Sequence, residues 1–156
     1  MRPRFAVLLG IGMVPLLVSC LASRPVGDSG SSGPQALGSL EVASQVLGNH
    51  VLTPTVCTSG DRQQFLGADL SDPGTSLVLR LAVDALEGPA VRVFSAEAPF
   101  DRSVVFRRSD CAVFHFSLDS TGWRVNDVED YRVTLQLDCS RPGEHVSGSA
   151  SSSHCT

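Results

Sequence analysis

The sequence predicts an all-β fold: an antiparallel β-sandwich of about seven short strands held by two disulfides. Apolar residues recur at every second position through much of the chain, and turn residues return about every 8 to 12 positions. Its cysteines outside the amino-terminal segment are even in number. A length of 156 residues, with 42% hydrophobic and 18% charged residues, suffices for one core and not for two.

Leu77, Leu79, Leu81 and Val83 alternate with Val78, Arg80, Ala82 and Asp84, the clearest strand with one buried face. Glu87-Gly88-Pro89 is a turn, after which residues 90–95 read as the hairpin partner. Residues 103–106 form a further short strand. Ala112, Phe114, Phe116 and Leu118 share one face of the next, and Tyr131, Val133, Leu135 and Leu137 share one face of its successor. Residues 140–144 turn the chain into a thin final strand from His145 to about Ser153, and a strand near residues 50–56 completes the seven. Leu40, Ala43, Val46 and Leu47 fit one face of a short helix capped by Ser39, while Val42 and Val46 also allow a strand, so this segment is left open. No repeat of 20 to 50 residues is visible.

All 12 basic residues are arginine. Removal of a segment holding Arg2 and Arg4 would leave ten arginines against sixteen acids, a net charge of about −6. Such a body is a poor polyanion binder, because nucleic acid requires clustered cations and only Arg107 and Arg108 are adjacent. No nucleic-acid partner is expected.

Residues 1–19 have the parts of an export signal: Arg2 and Arg4, an apolar run from Phe5 to Val18, then small Ser19. That run is shorter than the roughly twenty residues a membrane span needs, and Gly10, Gly12 and Pro15 interrupt it. Leu17-Val18-Ser19-Cys20 resembles the lipobox of bacterial lipoproteins, in which a branched apolar residue, a tolerant one and a small one precede an obligatory cysteine. The resemblance implies cleavage before Cys20, lipid on its thiol and acylation of the new amino terminus. Two or three acyl chains anchor stably where one is marginal, since each buried methylene contributes about 0.8 kcal/mol. Leu21 replaces the Asp that marks inner-membrane retention in that family, so the resemblance implies the outer membrane, on its periplasmic or its surface side. Residues 20–38, rich in Ser, Gly and Pro, then read as a lipidated flexible tether with a reach of about 20 to 25 Å, and residues 39–156 as the sandwich domain.

Cys57, Cys111, Cys139 and Cys155 remain. In an oxidising compartment they favour two disulfides over a metal site with His115, His145 or His154, because no pair has zinc-ligand spacing. If residues 133–138 and 145–153 form a hairpin, Cys139 sits at its turn and Cys155 level with about residue 130. That is tens of ångströms apart at about 3.3 Å per residue, against a limit near 7 Å for a bridge. Pairing Phe116 with Val133 and Phe114 with Leu135 then puts Cys111 and Cys139 at one end and Cys155 at the other. The expected bridges are Cys111 with Cys139 and Cys57 with Cys155. That register sets Cys111 and Cys139 on opposite faces unless Cys111 has left the strand or a bulge intervenes.

Asn126, Asp127, Glu129 and Asp130 crowd one stretch, but without EF-hand spacing, and a solvated acidic loop is the simpler reading. Neither Gly-x-Ser-x-Gly nor His-Glu-x-x-His occurs, and no cofactor or metal is expected. His115, between Phe114 and Phe116 on the opposite strand face, reads as a surface or groove residue open to ligand or partner contact. Trp123, the only tryptophan, stands in a loop as a sugar- or partner-binding anchor or as a cover on the sandwich end; burial of large aromatics favours the cover.

Residues 106–111 (Phe-Arg-Arg-Ser-Asp-Cys), 121–127 (Thr-Gly-Trp-Arg-Val-Asn-Asp) and 137–139 (Leu-Asp-Cys) are similar to phrases in small lipoproteins of gliding deltaproteobacteria. The resemblance covers most of residues 50–155 and implies no activity. Outer-membrane lipoproteins of such bacteria include accessory parts of gliding and envelope-spanning machines, which suggests motility by analogy alone. The expected function is a non-enzymatic binding or assembly component of an envelope complex. The alternatives are a ligand- or carbohydrate-binding module using Trp123, or a hydrolase around His115.

Overall fold

The computed structural model describes residues 36–99 and 101–156. Cys20, the signal segment and the tether up to residue 35 lie outside the described residues. Ten strands run in the order β1 (Ala36–Ser44), β2 (Gly48–Leu52), β3 (Val56–Ser59), β4 (Gly67–Asp72), β5 (Leu77–Asp84), β6 (Gly88–Ser95), β7 (Ser103–Arg107), β8 (Cys111–Val125), β9 (Val128–Arg141) and β10 (Glu144–Cys155). They build two antiparallel five-stranded sheets, β2-β1-β10-β9-β8 and β3-β4-β5-β6-β7. Among the described residues the fold is all-β, with ten strands instead of about seven.

Period-two patterning explains the strands that the sequence reveals. In β5, Leu77, Leu79 and Leu81 are buried while Val78 and Arg80 stay partly exposed; in β9, Val133, Leu135, Leu137 and Cys139 point inward. Together with Leu40, Leu52, Leu70, Val91, Val93, Phe106 and Val146 they make one core between the sheets. Each fully buried aliphatic or aromatic side chain contributes about 1.5 to 3 kcal/mol.

Three extra strands arise where pairing overrides the local signal. The segment left open between helix and strand is β1, which begins at Ala36, inside the stretch read as tether. It buries Leu40, Val42 and Ser44 and leaves Ala43 and Val46 outside, because β10 and β2 flank it. The single strand expected near residues 50–56 is two, β2 in one sheet and β3 in the other. Pro54, which has no N–H for a ladder, marks the crossing, and there Thr53 N–H donates to Asp72 Oδ2 at 2.9 Å and Thr55 N–H to Ser71 O at 3.0 Å. β4, Gly-Ala-Asp-Leu-Ser-Asp, has no β-branched residue and is held by β3 and β5 on either side.

The final strand is not thin. β10 is a central strand whose Ser and Gly residues lie against β1 and β9. The β8–β9 register also differs from the expected one by two residues, pairing Phe116 with Leu135 and Phe114 with Leu137. The strands run on through the supposed loop to a two-residue turn, which sets this register.

Bridges join Cys57 to Cys155 and Cys111 to Cys139, the pairing to which the hairpin geometry leads. The first ties β3 of one sheet to the end of β10 in the other. The second lies beside the crossing at residues 108–110, where a register shift between Cys111 and Val113 places Cys111 opposite Cys139. β9 touches both β3 and β7, opposite edges of the other sheet, so it runs across that sheet rather than along it.

Candidate functional site

A groove of about 380 Å³ runs over β8 and β9, lined by Arg108, Phe114, His115, Phe116, Ser117, Thr134 and Gln136. Strand alternation creates its two characters. Phe114 and Phe116 turn toward the core and meet edge to face at 6.0 Å, while His115 and Ser117 turn outward opposite Gln136 and Thr134. Arg108 contributes from the 3-10 turn Arg108–Asp110, where Asp110 Oδ2 accepts the Arg107 N–H at 2.8 Å. The Cys111–Cys139 bridge follows at once and holds that turn to β9.

β8 ends its sheet and has β9 on one side only. Among the described residues, no backbone group outside β9 bonds the main chain of residues 112–119. An edge with free N–H and C=O groups, polar side chains on one face and phenylalanines on the other, suits an added extended strand. His115 hydrogen-bonds no other described residue, so its ring nitrogens remain available to a partner.

Trp123 is a correction. It lies in β8, not in a loop, and is 72% exposed, so it covers nothing. Asn126 and Asp127, at φ 51° and 65°, form the two-residue turn that lets β8 and β9 extend past the sandwich pattern. Between Ser120 and Arg124 the register shifts, with Gly122 at φ 77°, and Trp123 projects from this irregular stretch. Arg124 reaches Glu129 at 3.4 Å and Asp61 at 3.9 Å, and the Glu129 N–H donates to Asp61 Oδ2 at 3.2 Å, which moors the hairpin tip to the 3-10 turn Gly60–Gln63. Eight residues of one strand, about 25 Å, separate Trp123 from His115, and the fold does not bring them together.

The acidic stretch does not behave as one loop. Asp130 is 2% exposed and its carboxylate accepts from Cys155 N–H at 2.9 Å, Thr121 Oγ1 at 2.8 Å and His154 Nδ1 at 2.8 Å. Burial is the largest influence and would raise its pKa, but the bonds to His154, Thr121 and Cys155, with the His154 charge, outweigh it and hold the group below the ordinary carboxylate value. Among the described residues no cluster of three or more His, Cys, Asp or Glu side chains is placed to hold a metal. His154 enters the sequence argument only as a rival metal ligand; its pairing with Asp130 depends on the β9–β10 register, which residue types alone do not reveal.

No protein-family model, curated protein or solved structure matches this chain.

Proposed function

We propose that this chain is an outer-membrane lipoprotein, anchored through Cys20, whose β domain is a non-enzymatic binding or assembly component of a cell-envelope complex. The single observation that carries the binding role is the unpaired β8 edge with its two-faced groove. The segment Leu17-Val18-Ser19-Cys20 supports the anchor, and two disulfides suit an oxidising compartment. A role in motility rests on analogy with accessory envelope lipoproteins. Mild crosslinking of intact cells, followed by purification from the membrane fraction, should recover an envelope protein, and Cys20→Ala should lose acyl labelling and membrane fractionation. Recovery of no envelope partner, with no phenotype on deletion, would count against the reading.

A second reading, a carbohydrate-binding module, is favoured by one observation: the exposed Trp123 ring beside Arg124 and Glu129. Trp123→Ala leaving every glycan interaction intact would remove it.

A further inference from the structure

The outward face of the second sheet carries a built cleft far from neither apolar contact nor charge. Asp69, Arg80 and Arg92 sit directly opposite one another on β4, β5 and β6, and Val78 and Phe94 form the neighbouring row. Although these positions face away from the core, Asp69 is 7% and Phe94 8% exposed. Gln63 on one side, and Ala96 and Pro99 on the other, stand over the face and leave a cleft of about 360 Å³.

The charges in this cleft do not balance. Arg80 is committed: its Nε and Nη2 hold the two oxygens of Asp69 at 2.8 and 2.7 Å, and its guanidinium lies 4.4 Å from the Phe65 ring centre and 5.4 Å from that of Phe94. The Asp69 bond raises its pKa further, so it is a fixed cation. Arg92 lies over the same Phe94 ring at 5.6 Å but has no carboxylate partner among the described residues. Its Nη2 donates to Pro99 O at 2.7 Å and Ser103 Oγ at 3.0 Å, which fix the plane of the guanidinium, while its buried Nε has no acceptor among the described residues. A half-buried cation with no carboxylate partner among the described residues favours an anion, and the aromatic floor with Val78, Ala96 and Pro99 favours an apolar body next to it.

We propose that this cleft binds a small organic monoanion: a carboxylate, paired with Arg92, on a compact apolar or aromatic body resting on Phe94. One surplus positive charge matches one negative charge. A phosphate dianion would be under-compensated there, with Asp69 about 10 Å away across two strands. The volume lies at the small end of the range for ligand pockets, which suits a single-ring acid or the last residue of a peptide chain.

The test uses the detergent-solubilised full-length protein and phenylacetate as probe, with binding followed by ligand-observed NMR and calorimetry. Saturable millimolar or tighter binding is expected, with neutral phenylacetamide and dianionic phenyl phosphate at least tenfold weaker. Arg92→Gln should weaken phenylacetate tenfold or more, and so should Ala96→Phe, which fills the cleft and leaves every charge in place. Leu86→Ala, at a 97% exposed position outside the cleft, should change nothing. If Arg92→Gln fails to melt cooperatively, Ala96→Phe carries the comparison alone. A short peptide ending in Phe with a free carboxylate, run beside phenylacetate, identifies the source: the tighter binder is the chain terminus or the free acid. No saturable binding by 10 mM, equal binding of the amide, tighter binding of the phosphate, or unchanged binding in the variants would overturn the proposal.

Discussion

Gly38 and Gly148 interlock across the β1–β10 pair. Their φ angles are 113° and 132°, and a Cβ on Gly38 would fall 2.3 Å from Ser149 O, while one on Gly148 would fall 2.3 Å from Ser39 O. Ser39 and Ser149 face each other in register, so each glycine lies on the carbonyl beside the other. Neither the backbone angle nor the space admits a side chain.

Gly38→Ala and Gly148→Ala should therefore each destabilise the domain by about 3 kcal/mol or more, combining backbone strain with displacement of a central pair of strands. Ser147→Ala, one residue from Gly148 and facing outward, should change stability by less than about 0.5 kcal/mol. Denaturant midpoints of the three variants decide this. Two glycine variants as stable as the parent would show that the β1–β10 approach is looser than described.

These glycines also show where the sequence stops being readable. β5 and β9 advertise themselves because a buried face alternates with a wet one, and the same alternation places Phe114 and His115 on opposite sides of β8. β10, by contrast, carries Ser and Gly because β1 approaches it closely, and that approach is a property of the partner strand. β4 is invisible for a related reason: its neighbours hold it, and its own residues signal turns as much as strands. The Asp69–Arg80–Arg92 row could not be seen without β4. Trp123 escapes the burial that large aromatics favour on average, because the Asn126–Asp127 turn carries the hairpin outward.

The two bridges should differ in what they stabilise. Cys57 and Cys155 are separated by 98 positions and Cys111 and Cys139 by 28, so closing the two loops removes unfolded-state freedom worth about 4.7 and about 3.6 kcal/mol in the chain-entropy estimate. A Cys57→Ser/Cys155→Ser pair should lose more stability than a Cys111→Ser/Cys139→Ser pair, and only the former unties the two sheets. Chemical denaturation of both doubly substituted proteins, with non-reducing peptide mapping of the parent, measures it. A peptide linking Cys139 to Cys155 would contradict the strand order itself.

Acid should weaken the fold through two carboxylates. Asp72 accepts Thr53 N–H at 2.9 Å and Gly74 N–H at 2.8 Å; burial, the largest influence, raises its pKa, and the hydrogen bonds together bring it below the usual 3.8. Asp130 is lowered in the same sense. Because their folded values lie below the unfolded one, both contribute stability above about pH 5, and it is lost as pH falls through 3.8 toward the folded values. Denaturant titrations at pH 7, 5 and 3 should show this decline, with a smaller one in Asp72→Asn and Asp130→Asn. Stability that rises below pH 5 would reverse the sign assigned to these groups.

Reception of a partner by the β8 edge at the cell envelope can be read by site-specific photocrosslinking in living cells. A benzophenone amino acid at position 117 would stand in the groove, and one at position 51, 56% exposed, would stand on β2 at the opposite end of the same sheet. A discrete, light-dependent adduct in the envelope fraction is expected from position 117 and none from position 51. No adduct from position 117, or the same adducts from both positions, would contradict a partner at the β8 edge.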